Sequence, residues 1–385
     1  MDLLPLEKVI FNNWKYSFST YINRKFGSRH TNRTGIIVDN LNYHYDISHA
    51  DLPGSRMIQT VKERANKNLL QAYTESKVDL TSELSVNVGV HAQYFSLNQH
   101  YSIEPRVGVT WQFAQNQSLS LAYGNHSQLE MLQIYMVRRQ SGTTFTEPNK
   151  NLDFTKANHF VMSFNWKING NMNLRVEPYF QYMYNVPVIP DSSFSLINLD
   201  KNWFIQDSLT NKGTGINKGI DLTLERFLQQ GYYYLVTTSV FDSKYKGGDG
   251  IEHNTRYNKH FVINLLGGKE WMLKNNRLLS VNGKVTYMGG DCISPLDEQA
   301  SQIKRDAVYN EYRAFADRKP NVLYADFTIN YKINKKNHSS TWSLKIINAL
   351  GAKEYAGYRY NYKTGRMEME SVAMVIPDLS YKIEF

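Results

Sequence analysis

A two-residue rhythm runs through most of this sequence and confines it to β-structure. Leu84, Val86, Val88, Val90, Ala92 and Tyr94 alternate with Ser85, Asn87, Gly89, His91 and Gln93. Ile103, Pro105, Val107, Val109, Trp111 and Phe113 alternate with Glu104, Arg106, Gly108, Thr110 and Gln112. The pattern returns from Met172 to Tyr182, from Leu323 to Lys332, and from Leu379 to Phe385. On a helix these apolar residues would scatter around the circumference. On a strand they gather on one face, with the polar residues on the other.

One apolar face suits a soluble sandwich as well as a membrane barrel, and the connections separate the two. Tight links at Thr81-Ser82-Glu83, Gln115-Asn116-Gln117, Asn169-Gly170-Asn171, Gln229-Gln230-Gly231 and Lys274-Asn275-Asn276 alternate with long stretches. The long ones are His49 to Arg64, Ser127 to Asp153, Pro187 to Gly213, Lys246 to Thr255, Asp291 to Pro320 and Gly351 to Met369, with Asn98 to Tyr101 a short exception. Short turns on one rim and long loops on the other are the habit of outer-membrane barrels. The spacing predicts about fifteen antiparallel strands of roughly nine to fifteen residues, enough to cross a bilayer at a tilt. Rings at Trp14, Tyr16, Trp166, Tyr182, Tyr184, Tyr232, Tyr234, Trp271 and Trp342 stand near strand ends, where a water–lipid interface favours them. Lys218 and Arg226 end one apolar face, with stems long enough to reach headgroups.

Composition agrees with this architecture. Mean hydropathy is −0.50, and the charge-free run Leu84 to Ile103 contains Ser85, Asn87, His91, Gln93, Asn98, Gln99 and His100, which a lipid-facing helix could not hide. The one cysteine, Cys292, excludes an intrachain disulfide framework and a multi-cysteine metal site. A formal charge of +9 is spread along the chain without a basic run, which points away from nucleic acid. Met1 to Lys8 carries no secretory signal. An exported barrel needs one, so the expectation is a chain that lacks its beginning.

No nucleophile motif, phosphate loop or metal-ligand cluster stands out, and no cofactor is expected. Gly247-Gly248-Asp249-Gly250 reads as a flexible loop tip. His91 and His159 sit on polar faces and are expected to point into a lumen, while His126, His253 and His260 complete no ligand spacing. Inward Glu104, Glu177, Asp221, Glu225 and Asp326 are expected to pair with Arg106, Arg175 and Lys332 rather than to catalyse. Glu298 to Ala316 is the most distinctive loop. Its Lys304, Arg305, Tyr309, Tyr312 and Arg313 could capture a ligand on a short amphipathic helix, or that helix could simply pack on the rim.

The ordered series Arg256-Tyr257-Asn258, Asn264 to Trp271, Gly289-Gly290, Ser294-Pro295-Leu296-Asp297, Arg318-Lys319-Pro320, Tyr324-Ala325-Asp326, Ile347-Asn348-Ala349-Leu350, Glu354-Tyr355 and Ile376 to Phe385 resembles the barrel of TonB-dependent outer-membrane receptors, particularly the Bacteroidetes-type members. Glu177-Pro178-Tyr179-Phe180 and Tyr184 to Val188 are similar to that family's middle strands. The end strand with Tyr381, Ile383 and Phe385 is similar to the signal read by the barrel-assembly machinery, with Ser380 where glycine is usual. The resemblance implies an all-β, antiparallel transmembrane barrel with short periplasmic and long extracellular connections. Residues 1–385 would be its C-terminal part, holding about fifteen of about 22 strands, with the plug and first strands absent. It also implies a cell-outer-membrane location in a Gram-negative bacterium, contact with outer-membrane lipid, and coupling to the TonB complex through the plug. The solute would be scarce: an iron chelate, corrinoid, oligosaccharide or peptide. Three other readings stay open: a passive porin-like channel, a soluble extracellular glycan-binding β-protein, and an outer-membrane hydrolase.

Overall fold

A computed structural model of the protein describes residues 6–50, 54–141, 144–199 and 205–385; Met1 to Pro5, read above for a signal, lie outside them. Fifteen strands follow one another as neighbours in a single antiparallel wall. They are β1 (Glu7–Lys25), β2 (His30–His49), β3 (Ile58–Asp79), β4 (Leu84–Phe95), β5 (His100–Ala114), β6 (Gln117–Gln128), β7 (Thr155–Asn169) and β8 (Met172–Val188). The wall continues with β9 (Thr210–Gln229), β10 (Tyr232–Lys246), β11 (Phe261–Leu273), β12 (Arg277–Met288), β13 (Val322–Asn334), β14 (Ser339–Ile347) and β15 (Ile376–Glu384). Among the described residues β1 pairs only with β2, and β15 only with β14.

Connections alternate as the sequence predicts. One rim carries residues 26–29, 80–83, 115–116, 170–171, 230–231, 274–276 and 335–338; the other carries 50–57, 96–99, 129–154, 189–209, 247–260, 289–321 and 348–375. One two-residue turn uses left-handed positions, Gln230 at φ 56° and Gly231 at φ 79°, and Asn275 and Asn276 do the same in the turn at 274–276.

Several boundaries differ from the expected ones. Strands reach 22 residues in β3 and 20 in β2, well beyond fifteen. Arg64 lies inside β3, which starts at Ile58 and pairs with β2 along its length. These strands project past the apolar band, where polar residues such as Asn42 and Asn66 continue the ladder without breaking it. The loop expected to end at Met369 holds its own hairpin, Lys353–Asn361 with Arg366–Ala373.

The two faces of the wall part as the alternation requires. Val88 lies opposite Val107, Leu121 opposite Met162, Ile220 opposite Val240, and Leu265 opposite Val285. These form a continuous apolar outer band over which no described residue is layered: Val88 is 53% exposed, Ile103 61% and Leu379 71%. Rings edge the band at both rims. Tyr94, Tyr101, Tyr123, Phe160, Phe180 and Tyr287 lie toward the long loops; Trp111, Trp166, Tyr232, Trp271 and Trp342 lie toward the short turns. On β5, Tyr101 and Trp111 bracket the band. At ~3.3 Å per residue and a tilt of roughly 45°, their separation corresponds to about 23 Å of thickness, close to that of a barrel's lipid-facing band.

The densest apolar core lies on the other face. Tyr43, Tyr45 and Ile47 of β2, Val61 of β3 and Phe95 of β4 point inward near the long-loop rim. The short helix Leu132–Tyr135 brings Ile134 and Tyr135 against them, joined by Met136, Leu152, Phe154, Ile205 and Leu209. The long loops therefore fold inward over β2 to β4 and bury a cluster that an all-polar inner face would not provide.

Candidate functional site

Inward residues of β2 to β7 surround a recess of about 790 Å³. Gly89, Gly108 and Gly124 leave its floor bare, each on the inner face of its strand. A Cβ on Gly108 would meet nothing nearer than 3.9 Å, whereas one on Gly124 would press on His126 Nε2 at 2.8 Å. The rim carries Arg33, Gln71, Tyr73, Glu75, His91, Arg106, His126 and His159. Inner-face glycines thus convert a flat wall into a polar hollow.

Glu104 organises the upper edge. Its side chain is buried and accepts from His91 Nδ1 at 3.0 Å, Gln93 Nε2 at 2.6 Å, Ser102 Oγ at 3.1 Å, Arg106 at 3.0 Å and Ser127 Oγ. Five donors drawn from three strands satisfy both oxygens, so the charge is held rather than free to take a proton from a substrate. On its other side His91 Nε2 faces Gln71 Oε1 at 3.1 Å, and the Gln71 amide nitrogen reaches Asp39 at 3.3 Å. The arrangement fixes the imidazole against β3 and β5 together.

Sequence spacing does not unite the histidines; cross-strand register does. Gly124 of β6 is registered with His159 of β7, and the His126 and His159 rings meet edge to face at 4.8 Å. His159 Nε2 lies 3.0 Å from the Gln181 amide, which bonds on to Asn217 at 2.6 Å. No group of three or more His, Cys, Asp or Glu suited to a metal ion occurs among the described residues.

The expected inward ion pairs are partly present. Arg106 meets Glu104, and Arg175 approaches Glu177 at 3.8 Å. Lys332 pairs with Glu384 of β15 at 3.4 Å instead of an upstream carboxylate. Asp326 accepts from Asn348 N at 2.9 Å, and Asp221 from Ser239 at 2.5 Å. Further along, Tyr233 with Asn282 and Thr286 with Asn264 continue a hydrogen-bonded inner lining.

The loop after Glu298 is helical over Glu298–Lys304, capped by Asp297, whose carboxylate accepts from Ala300 N at 2.9 Å. Arg305 ends it in the left-handed region at φ 53°. The helix is not amphipathic in the expected way: Ile303 is exposed and Ser301 is its buried residue. Lys304, Arg305, Tyr312 and Arg313 are exposed, while Tyr309 is half-buried and pairs with Leu296. On the terminal strand, Tyr381 packs on Trp342 at 4.6 Å between ring centres, and Ile383 and Phe385 are exposed.

Loop electrostatics are local. Burial pushes the Glu130 carboxyl above its usual range, opposed by a hydrogen bond from Thr155. A hydrogen bond from Lys150 holds Glu147 below its usual range, and Arg138 adds to the effect. Burial raises the Cys292 thiol, leaving it a poor nucleophile.

Comparison with known proteins places this architecture. Residues 7–349 match the family model described as TonB dependent receptor-like, beta-barrel. No curated protein matches the sequence. Among solved structures, the outer membrane transporter YddB from Escherichia coli aligns with a TM-score of 0.67 at 11% identity, over 97% of this chain and 54% of its own. BauA, the ferric preacinetobactin receptor from Acinetobacter baumannii, gives 0.67 at 13%, over 98% and 55%. The ferric-catecholate import receptor Fiu from Escherichia coli gives 0.67 at 12%, over 97% and 55%. The chain spans about half the length of these structures, and at such identities they speak for the fold. With a family model covering most of its length and a barrel wall of the same shape, the chain belongs to the TonB-dependent receptor-like β-barrel family.

Proposed function

We propose that this chain forms the C-terminal part of the wall of an outer-membrane receptor, of the Bacteroidetes type that its motifs resemble, which takes up a scarce solute with energy from the TonB complex. One observation carries the reading: a lipid-compatible apolar band backs onto an inner face that is polar and hydrogen-bonded except where the long loops cover the apolar cluster of β2 to β4. The long-loop rim faces outward from the cell. Its loops, with Lys304, Arg305, Tyr309, Tyr312 and Arg313 among their exposed and half-exposed groups, meet the solute first. The recess below them supplies polar contacts on the way through. A plug outside this chain fills the lumen and carries the TonB contact. The strand with Tyr381, Ile383 and Phe385 offers its edge to the assembly machinery.

The solute is an iron chelate, a corrinoid, an oligosaccharide or a peptide. The test is accumulation of labelled members of each class by cells with and without the gene, in TonB-competent and TonB-deficient backgrounds. Uptake that needs both the gene and TonB supports the reading. Gene-dependent uptake that persists without TonB assigns a passive channel instead, and recovery of the protein without detergent assigns a soluble one.

A further inference from the structure

The outer face is apolar almost throughout, yet at the short-turn rim between β9 and β12 two cations stand on it. Arg226 lies with its guanidinium 4.2 Å over the Tyr232 ring, and Lys269, registered directly across from Tyr232, lies 5.3 Å over Trp271. Neither has a carboxylate partner among the described residues, and Arg226 Nε is buried without a hydrogen-bond acceptor. The neighbouring carboxylates, Glu225 and Glu270, alternate to the inner face. On β4 to β8 the same rim presents Trp111, Phe113, Phe164 and Trp166 and no cation.

A trough leads away from this pair toward the middle of the band. Gly267 of β11 and Gly283 of β12 face each other across the ladder on the outer side. Tyr234 flanks them on β10 and Phe327 on β13. A Cβ on Gly283 would find nothing nearer than 4.0 Å, so bare backbone lines the trough there. One step further in, Leu265, Val285 and Ala325 continue the same line.

We propose that this patch is a binding site for an anionic phospholipid of the periplasmic leaflet. Its phosphate would sit between Arg226 and Lys269 at the edge of the Tyr232 ring, and one acyl chain would lie in the trough over Gly267 and Gly283. The proposal rests on the reading that the outer face meets lipid. Charge complementarity selects the occupant. Two cations set among rings without a carboxylate partner, the half-buried Arg226 and the exposed Lys269, call for an anion, and the apolar trough that begins beside them calls for a hydrocarbon tail on the same molecule. A free phosphate would use the cations and leave the trough empty.

The test compares the protein, reconstituted in phosphatidylcholine nanodiscs doped with phosphatidylglycerol, with its Arg226→Gln/Lys269→Gln and Gly283→Leu variants. The lipids that stay bound on gentle release are counted by native mass spectrometry. Wild type should retain phosphatidylglycerol over phosphatidylcholine, with roughly a fivefold preference contributed by each cation. The double variant should lose that preference. Gly283→Leu should keep the headgroup preference but weaken retention of long-chain over short-chain phosphatidylglycerol. Equal retention by wild type and the double variant overturns the proposal. So does displacement of the lipid by millimolar inorganic phosphate, or a Gly283→Leu variant with unchanged chain-length dependence. Quenching of Trp271 fluorescence by brominated phosphatidylcholine checks the lipid-facing reading separately, since it requires insertion and not headgroup choice.

Discussion

His91 Nδ1 lies 3.0 Å from Glu104 Oε2 across the β4–β5 ladder, and the two side chains face each other as registered partners on the inner wall. The pair is the centre of the most heavily hydrogen-bonded node in the recess. Removing the carboxylate takes an acceptor from His91, Gln93, Ser102, Arg106 and Ser127 at once. Arg106 is about half exposed, so Glu104→Ala should lower stability by roughly 2–3 kcal/mol, the scale for leaving buried donors unpaired. Glu104→Gln keeps one acceptor oxygen and should cost less, about 1–2 kcal/mol. Urea-induced unfolding of the barrel in micelles, followed by tryptophan fluorescence, measures both. Equal losses for the two variants would contradict a charge-centred node.

Gly108 tests the recess itself. Open space stands where its side chain would be, so Gly108→Leu should fold with a stability change under about 1 kcal/mol. It should nonetheless narrow the recess between Arg106 and His126. If solute passes this wall, uptake should fall about tenfold or more while the amount of protein in the membrane stays constant. Gly219→Ala, on the inner face of β9, should instead destabilise, because its Cβ meets the Val240 backbone oxygen at 2.7 Å. Immunoblotting of membrane fractions beside the uptake assay separates the two outcomes.

The loop cluster makes a third case. Tyr135 and Phe95 are fully buried and pack at 5.6 Å between ring centres, joining loop 129–154 to the wall. Tyr135→Ala should open a cavity costing about 3–5 kcal/mol if the loop and wall unfold together. If the loop can detach alone, the loss appears as local opening. Hydrogen exchange resolves these, with protection lost in 132–137 but kept in β4 in the second case.

The wall was legible because a strand has a period of two and a barrel needs every second residue to match lipid. Val88, Val107, Leu121 and Leu265 obey that rule and stand exposed on the outer face. Connection parity was legible for the same reason, since each turn must return the chain across the membrane. Two things escaped. Tyr43, Tyr45 and Ile47 are apolar residues on the inner face, and alternation cannot say that a distant loop folds in to cover them. His126 meets His159 only through the β6–β7 register, set by 26 intervening loop residues (129–154) that hold no periodic signal. The expected amphipathic helix failed because Ile303 fits a helical spacing but finds no apolar surface on the rim.

Glu130 gives a pH signature outside the membrane-crossing strands. Burial raises its carboxyl above the usual range, and Thr155 Oγ1 donates to it. A carboxyl with a raised folded pKa binds its proton more tightly in the folded chain than in the unfolded one, where the value is about 4.3. Its contribution is therefore most favourable below the unfolded value, declines as pH rises through the folded value, and then levels off. Glu130→Gln keeps an oxygen for Thr155 but has no proton to lose. Relative to wild type, the variant should gain stability above the folded pKa, and the gain should shrink toward zero as the medium is acidified below about pH 4. Limited proteolysis of loop 129–154 across that pH range reads the difference directly. A wild-type loop that becomes more resistant as pH rises, or a variant that is weaker at neutral pH, would show that the carboxylate is stabilised in its charged form and that the burial argument is wrong.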